Sequence, residues 1–436
     1  MATQRAGRWT NWAGNQTCAP AEVVHPTTEA ELSDVVKRAD EAGRTVRVVG
    51  AGHSFTDVVC TDGVLVVLDR YADILGIDQV THLVTVQAGI TLGALNDALA
   101  DLGMALPNLG DIAYQSISGA ISTSTHGTGA ALGGLATQVV GLSLVTADGS
   151  VIRADADHEP EVFHCARVSL GALGILSTVT LQAVPRFNLR AVEEPMRLDA
   201  VLDDLDGFFD ANDHAEFYWV PHTRWALTKR NNRTDDPVGG RTGVQTFVNQ
   251  TLLENVAFGA MVKASKRSVW LGRKIAKLTP SAAGSSTYVD RSDKVFTSPR
   301  HVRFVEMEYA LPREALRHCL DALVAWHERS GLQVSFPVEV RVAGADDIPL
   351  STANGRDSAY VAVHMAKGVP HEQWFRAAEA IFDEVGGRPH WGKLHYQKAA
   401  TLAARYPEWD RFQTLRRTLD PEGRFANDYV TRVLGP

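Results

Sequence analysis

The chain has 436 residues, 45% hydrophobic and 22% charged, with a formal net charge of −8. That length exceeds one ordinary core and implies two or three domains. The acidic balance, without any run of Lys or Arg, argues against a nucleic-acid or anionic-membrane surface. Four scattered cysteines with no CxxC pair exclude a disulfide scaffold and a cysteine zinc site, and fit a reducing cytosol. The first residues lack the apolar core of a secretory signal, and no stretch reaches the ~18 apolar residues of a membrane span. A soluble, cytoplasmic protein is expected.

Order is expected from Pro26. Thr28 to Glu31 matches a capping box; Leu32, Val35, Val36 and Ala39 then recur at helical spacing, and Gly43 ends the helix. An apolar strand over Thr45–Val49 runs into Gly50-Ala51-Gly52-His53-Ser54-Phe55, and a second strand follows over Val64–Leu68. The glycine turn is not a dinucleotide fingerprint. Its third glycine would fall at Phe55, and no helix pattern follows to hold a pyrophosphate. What remains is either an ordinary tight turn or a short loop whose N–H groups face an anion, with His53 at its tip.

Residues 112–147 contain no Asp, Glu, Lys or Arg, and Gln115 to Gly129 are mostly Ser, Thr and Gly. A buried run of this kind must give its backbone and hydroxyl groups to polar partners. A large cofactor with phosphates and ring heteroatoms would serve. Val139–Leu144 and the segment to Ile152 read as a hairpin turning at Asp148-Gly149. Gly171 to Leu176 lead into a further strand over Thr178–Val184.

From about Asn188 the pattern becomes strand–helix–strand. Gln333–Ala343 alternates, with Val334, Phe336, Val338, Val340 and Val342 on one face and Ser335, Glu339 and Arg341 on the other. Tyr360–Ala366 sets Val361, Val363 and Met365 against Tyr360, Ala362 and His364. Phe304, Glu306 and Glu308 share a face, where a solvated position is expected for Glu306. Amphipathic helices are expected over Glu314–Ser330 and Trp374–Val385, each closed by glycine. Helices on one face of a mainly antiparallel sheet make an α+β layer. Glu339 and Arg341 project in parallel and can bind the hydroxyls of a polyol or lactone. His390 and His395 lie five apart with no carboxylate or cysteine beside them, so no metal site is expected.

Together, GAGHSF, QSISGAISTSTHGTG and SLGALGILSTVTL resemble the FAD domain of the vanillyl-alcohol oxidase superfamily. Glu306-Met307-Glu308-Tyr309, Val338-Glu339-Val340-Arg341 and His390-Trp391-Gly392-Lys393 narrow the resemblance to the aldonolactone oxidoreductases, especially the bacterial branch acting on L-gulono-1,4-lactone. Alditol oxidases are near relatives. The resemblance runs from about Trp12 to Pro436. It implies a two-domain α+β fold: a PCMH-type FAD-binding domain (12–187), a cap domain for the substrate (188–395), and a segment (396–436) returning to the first.

The resemblance also assigns roles. FAD would contact Val49, Gly50, Ala51, Gly52, Ser54 and Phe55, then Ser116, Ser118, Gly119, Ser122, Thr125, His126, Gly127 and Thr128, and finally Gly174 and Ile175. His53 would carry a covalent 8α bond, a single one, because residues 112–147 hold no cysteine. Glu339, Arg341, His364 and Glu308 would serve the substrate, with Ser116 (or Ser118) touching its hydroxyl and Lys393 at the flavin edge. The expected reaction oxidises a sugar 1,4-lactone to a 2-keto product that enolises to an ascorbate-type compound, with O2 or another electron acceptor reoxidising the flavin. An alditol oxidase is the enzymatic alternative. The non-enzymatic one is a flavin carrier without turnover, against which the retention of Glu339, Arg341 and Lys393 speaks.

Overall fold

The computed structural model describes residues 3–5, 7–240, 284–298, 302–334 and 336–436. Order begins before Pro26. Arg8–Thr10 and Thr17–Cys18 belong to a small antiparallel sheet, and Glu22–Val24 pairs in parallel with Val64–Val67, which also pairs with Val46–Val49. The strands before Pro26 are two or three residues long, too short to show a period.

The helix Glu29–Glu41 starts as its capping residues require. The Thr28 hydroxyl accepts the Glu31 N–H, while the Glu31 carboxylate reaches one residue further back than a capping box demands, to the Thr27 N–H. Gly43 closes the helix at φ +61°. The hairpin of Val139–Val145 and Val151–Asp155 turns with Gly149 at φ +75° and lies in a five-stranded antiparallel sheet with Ile175–Gln182, Leu83–Gln87 and Ile74–Asp78.

The second half forms one eight-stranded sheet, antiparallel throughout. Its order is Ser286–Arg291, Asn188–Arg197, Trp225–Thr234, His214–Val220, Val338–Ala343, Ser358–Ala366, Phe304–Pro312 and Arg388–Pro389. Pairing of the Glu339 strand starts at Val338, not Gln333, because Pro337 has no N–H for a ladder. Ser335 lies outside the described residues. Val338, Val340, Val342, Val361, Val363 and Met365 bury one face against the helices Leu316–Ser330 and Glu372–Glu384. Glu339, Arg341, Tyr360 and His364 are therefore left on the other face, toward the first half of the chain.

The last forty residues are helical (Ala399–Ala403, Trp409–Leu419, Asp428–Leu434). Leu402, Tyr406, Phe412, Phe425, Tyr429 and Val433 share one hydrophobic cluster with Leu32, Val66, Val86 and Leu144. A single buried cation draws these pieces together. The Arg47 guanidinium, 2% exposed, donates to the carbonyls of Val58 (2.9 Å), Phe425 (2.5 Å), Leu170 (2.7 Å) and Gly171 (3.2 Å). Burial lowers its pKa to about 10, so it stays charged at neutral pH. Arg47→Met should strand these buried acceptors and cost at least about 3 kcal/mol. Urea midpoints at neutral pH test this, and a loss below about 1 kcal/mol would mean that the arginine is no staple.

Candidate active site

The glycine loop leaves the Val46–Val49 strand and lines an open groove. Val49, Gly50, Ala51, Gly52, His53 and Ser54 form one wall; Ser116, Ser118, Gly119 and Ser122, on and just before the short helix Ile117–Ser122, form another; Gly174 closes a third. Close approach explains the glycine at position 50: a Cβ there would sit 1.8 Å from the Ser116 hydroxyl. Gly52 (φ +69°) and Gly171 (φ +66°) take conformations that other residues rarely adopt. Trp9, Arg47, Val58, Gln115, Leu170 and Leu176 also line the groove and were not foreseen, since they come from five separate segments. Ser116 and Ser118 both line it, and their hydroxyls lie 3.5 Å apart.

His53 stacks between Trp12 (centroids 5.4 Å apart) and Tyr114 (6.3 Å), and its shielded Nε2 has no hydrogen-bond partner. Burial lowers its pKa to about 4, so the ring is neutral at pH 7. A neutral, partnerless ring nitrogen on the wall of a groove built from glycines and hydroxyls fits a flavin nucleotide. The loop N–H groups suit its pyrophosphate, and the hydroxyls suit its ring heteroatoms.

Six of the anticipated cofactor residues lie elsewhere. Ile175 is fully buried in the core. Phe55 packs against Trp12 and Phe304, and its N–H donates to the Gly392 carbonyl at 2.7 Å. Thr125 accepts from Gln115, and a Cβ on Gly127 would strike Asn108. Thr128 donates to the Ala215 carbonyl, and His126 turns to Glu308. The polar run thus divides its partners: Ser116, Ser118, Gly119, Ser122 and Thr123 line the groove, whereas His126, Thr128 and Gly129 bond to the sheet of the second half. Sequence shows that such a run needs partners but not which ones.

The face of that sheet opposite its core carries a buried charge network. Glu216, Glu306, Glu308 and Glu339 are each less than 10% exposed. Lys393 pairs with Glu306 and lies 3.3 Å from Glu308; Arg341 pairs with Glu339 and donates Nε to Glu216 at 2.7 Å. The Tyr218 hydroxyl lies 3.2 Å from both Glu216 and Glu339. His364 holds Nδ1 3.1 Å from the Pro337 carbonyl and points Nε2 toward Glu306 (3.5 Å) and Glu339 (3.9 Å). His126 faces the Gly127 carbonyl with Nδ1 (2.8 Å) and Glu308 with Nε2 (2.6 Å).

One expectation changes here. Glu306 is not solvated: it is 4% exposed and doubly paired, because the loop carrying Lys393 folds over its face. Lys393 does not line the groove; it sits between two carboxylates, 5.6 Å from the Phe55 ring. Glu216 and Tyr218 were not anticipated, and the alternation of His214–Val220 was the signal that could have found them. Glu306, Glu339 and His364 bring three ligand-type atoms within 4.8 Å of one another, but Lys393 and Arg341 already neutralise those carboxylates.

Burial alone would raise every carboxyl here and lower every cation. For Glu308, His126 and Lys393 outweigh it and hold the carboxyl well below the usual range; for Glu306, Lys393 and His364 do the same. Glu306 and Glu308 in turn raise Lys393, and Glu339 and Glu216 raise Arg341. Glu339 is the exception. Its burial is not fully offset by Arg341, and its pKa rises. The site therefore sets two fixed cations beside one carboxylate of enhanced basicity.

Comparison with known proteins identifies the family. A family model described as D-arabinono-1,4-lactone oxidase matches residues 179–433, and an FAD binding domain model matches residues 20–155. The chain belongs to the D-arabinono-1,4-lactone oxidase family. It is 46% identical over 428 residues to an L-gulono-1,4-lactone dehydrogenase of Mycobacterium tuberculosis, covering 98% of this chain and 99% of the relative. It is 35% identical to an L-gulonolactone oxidase of Scyliorhinus torazame, with 97% of each covered. The cholesterol oxidase structure from B. sterolicum superposes with a TM-score of 0.83 over 100% of this chain and 98% of its own, at 18% identity, which supports the two-domain oxidase fold alone. No helix among the described residues is long and apolar enough to cross a membrane.

His390 gives a pH test of the buried network. Burial pushes its pKa down to about 3, and its Nδ1 accepts the Gly392 N–H. The unfolded chain binds a proton on this histidine below about 6.5 and the folded chain does not. Its contribution to stability is therefore complete above that pH and is lost as pH falls toward 3. Between pH 6.5 and 5 the unfolded carboxyls scarcely titrate, so histidines dominate. His390→Gln, which keeps an acceptor, should flatten the fall of the urea midpoint across that window; an unchanged slope would show that His390 does not contribute.

Proposed function

We propose that the protein is an FAD-dependent oxidoreductase that oxidises a sugar 1,4-lactone, L-gulono-1,4-lactone or a close analogue, at the C–H beside a ring hydroxyl. The observation that carries this reading is one contact. The Phe55 N–H to Gly392 carbonyl bond ties the groove loop to the loop bearing Lys393, so the FAD groove and the charged cleft are neighbours. Family membership and the names of the relatives support a lactone, and favour it over an alditol. On this reading the chain divides at 187/188 and 395/396 into an FAD domain, a cap and a returning segment, and the four free cysteines suit a cytoplasmic location.

Bound FAD supplies the acceptor for the two electrons leaving the substrate carbon. Arg341, fixed by Glu216 and Glu339, donates to the lactone oxygens. Glu339, the carboxylate of raised basicity, accepts the hydroxyl proton; Arg341 and Lys393, held charged, are excluded as bases. His364, between Glu306 and Glu339, can pass that proton onward. Lys393, screened from water, stabilises negative charge that develops at the cofactor edge. Ser116, fixed by the Gly119 N–H, orients the substrate hydroxyl at the groove mouth. The product is a 2-keto lactone of ascorbate type, and the electrons pass on to O2 or another acceptor.

The reading is tested by mixing the flavin-loaded protein anaerobically with a panel of aldonolactones and alditols and following flavin absorbance. Lactones should bleach it. Lys393→Met should slow bleaching by roughly 10²-fold, a typical loss for one preorganised electrostatic donor. If alditols bleach it faster than any lactone, the substrate assignment is wrong; an equal rate in Lys393→Met removes the role given to the lysine.

A covalent 8α bond to His53 belongs to the same proposal, supported by the neutral, partnerless imidazole on the groove wall. Denatured protein should stay yellow and fluoresce as a gel band, and His53→Ala should release its flavin on acid precipitation. Full release from the unmutated protein would show that the histidine only packs against the cofactor.

A further inference from the structure

The fold brings together two cysteines that the sequence keeps apart. Cys18 ends the short strand Thr17–Cys18, opposite Trp9 in the small N-terminal sheet. Cys60 lies in the loop that follows the glycine loop, where its carbonyl accepts from Asn427 at 2.8 Å. Both pack on the cluster of Trp9, Val49 and Leu65, so the fold brings the two side chains onto one small apolar patch. Both residues are partly exposed, whereas Cys165 and Cys319 are buried.

We propose that Cys18 and Cys60 are a modification site, the two halves of a reversible disulfide formed when the protein meets a peroxide. The chemistry balances. The Cys18 thiolate attacks one peroxide oxygen, the O–O bond breaks, and hydroxide leaves to give a sulfenic acid. The Cys60 sulfur then attacks the sulfenic sulfur, the S–O bond breaks, and the departing hydroxide takes the thiol proton as water. Two thiols lose two electrons and two protons, and the peroxide is reduced to two waters.

The direction of attack follows from the environment. The neighbouring Cys60 thiol, helped by the Thr61 N–H and opposed by burial, lowers the Cys18 thiol to about 7, and the same pairing raises Cys60. Cys18 is therefore substantially thiolate at neutral pH, the form that reacts. Burial pushes Cys165 and Cys319 up, to about 12 and about 11, which leaves them inert. The cross-link would tie the strand paired with Trp9 to the loop bearing Val58 and Val59, and Trp9, Val58 and Val59 all line the groove. Oxidation would thus staple two of its walls.

The test is peptide mapping of the flavin-loaded protein after brief exposure to dilute hydrogen peroxide, with alkylation before digestion. The expected product is one joined pair of peptides containing Cys18 and Cys60, lighter than their sum by two hydrogens and separated again by dithiothreitol, with Cys165 and Cys319 still thiols. In Cys60→Ser, which removes the resolving thiol, dimedone should label Cys18. The proposal is overturned if Cys18 goes to sulfinic acid without a joined peptide, if both residues remain thiols under peroxide, or if Cys165 and Cys319 oxidise equally fast. Should Cys60→Ser fail to fold, the map of the unmutated protein decides alone.

Discussion

Four carboxylates placed on one sheet face, away from water, are the constraint to which the rest of the active site answers. Glu216, Glu306, Glu308 and Glu339 would each cost several kcal/mol if buried ionised and unpaired. The fold brings a cation to every one. Arg341 bridges Glu216 and Glu339, Lys393 bridges Glu306 and Glu308, and His126 caps Glu308. These partners come from three parts of the chain: a neighbouring strand, the loop after the last strand, and the Ser/Thr/Gly run of the first half. The second half thus supplies the cations for its own carboxylates, and the first half adds His126 on Glu308.

Contact between the halves accounts for details that look unrelated. Gly392 allows a close crossing of the Lys393 loop over the glycine loop, where a Cβ would meet the Ser54 and Thr123 hydroxyls tightly, at 3.3 and 3.4 Å. The Gly129 N–H donates to the Val342 carbonyl at 2.9 Å, joining the end of the polar run to the Arg341 strand. Trp391 is fully buried, donates to the Leu350 carbonyl at 2.7 Å, and accepts at its own carbonyl from Tyr429 of the C-terminal helix. Each contact holds the lysine loop at a fixed height over the carboxylates, and preorganisation of this kind gives a buried cation its value in catalysis.

The groove follows a different principle. Its walls are glycine backbone and small hydroxyls, with one neutral histidine, so it offers donors and space without competing charge. Arg47 is the exception, and four carbonyls already engage it.

Local pattern alone determined the capping box at Thr28, the Asp148-Gly149 hairpin, the two glycine-closed cap helices, and the facing of Glu339 and Arg341 against Val340. All rest on neighbours within a few residues, or on the strict alternation of a strand. The glycine loop with its histidine and the run of hydroxyls were likewise visible as groups in need of partners. Tertiary structure decided which partners they took. His126 and Thr128 could have faced a cofactor or a second sheet with the same local sequence, and Glu306 could have faced water. Each was settled by a strand or loop far away in the chain, through electrostatics that act only once both groups are buried together. The same holds for Cys18 and Cys60, whose proximity has no trace in their spacing, because a contact between separate segments has no periodicity to read.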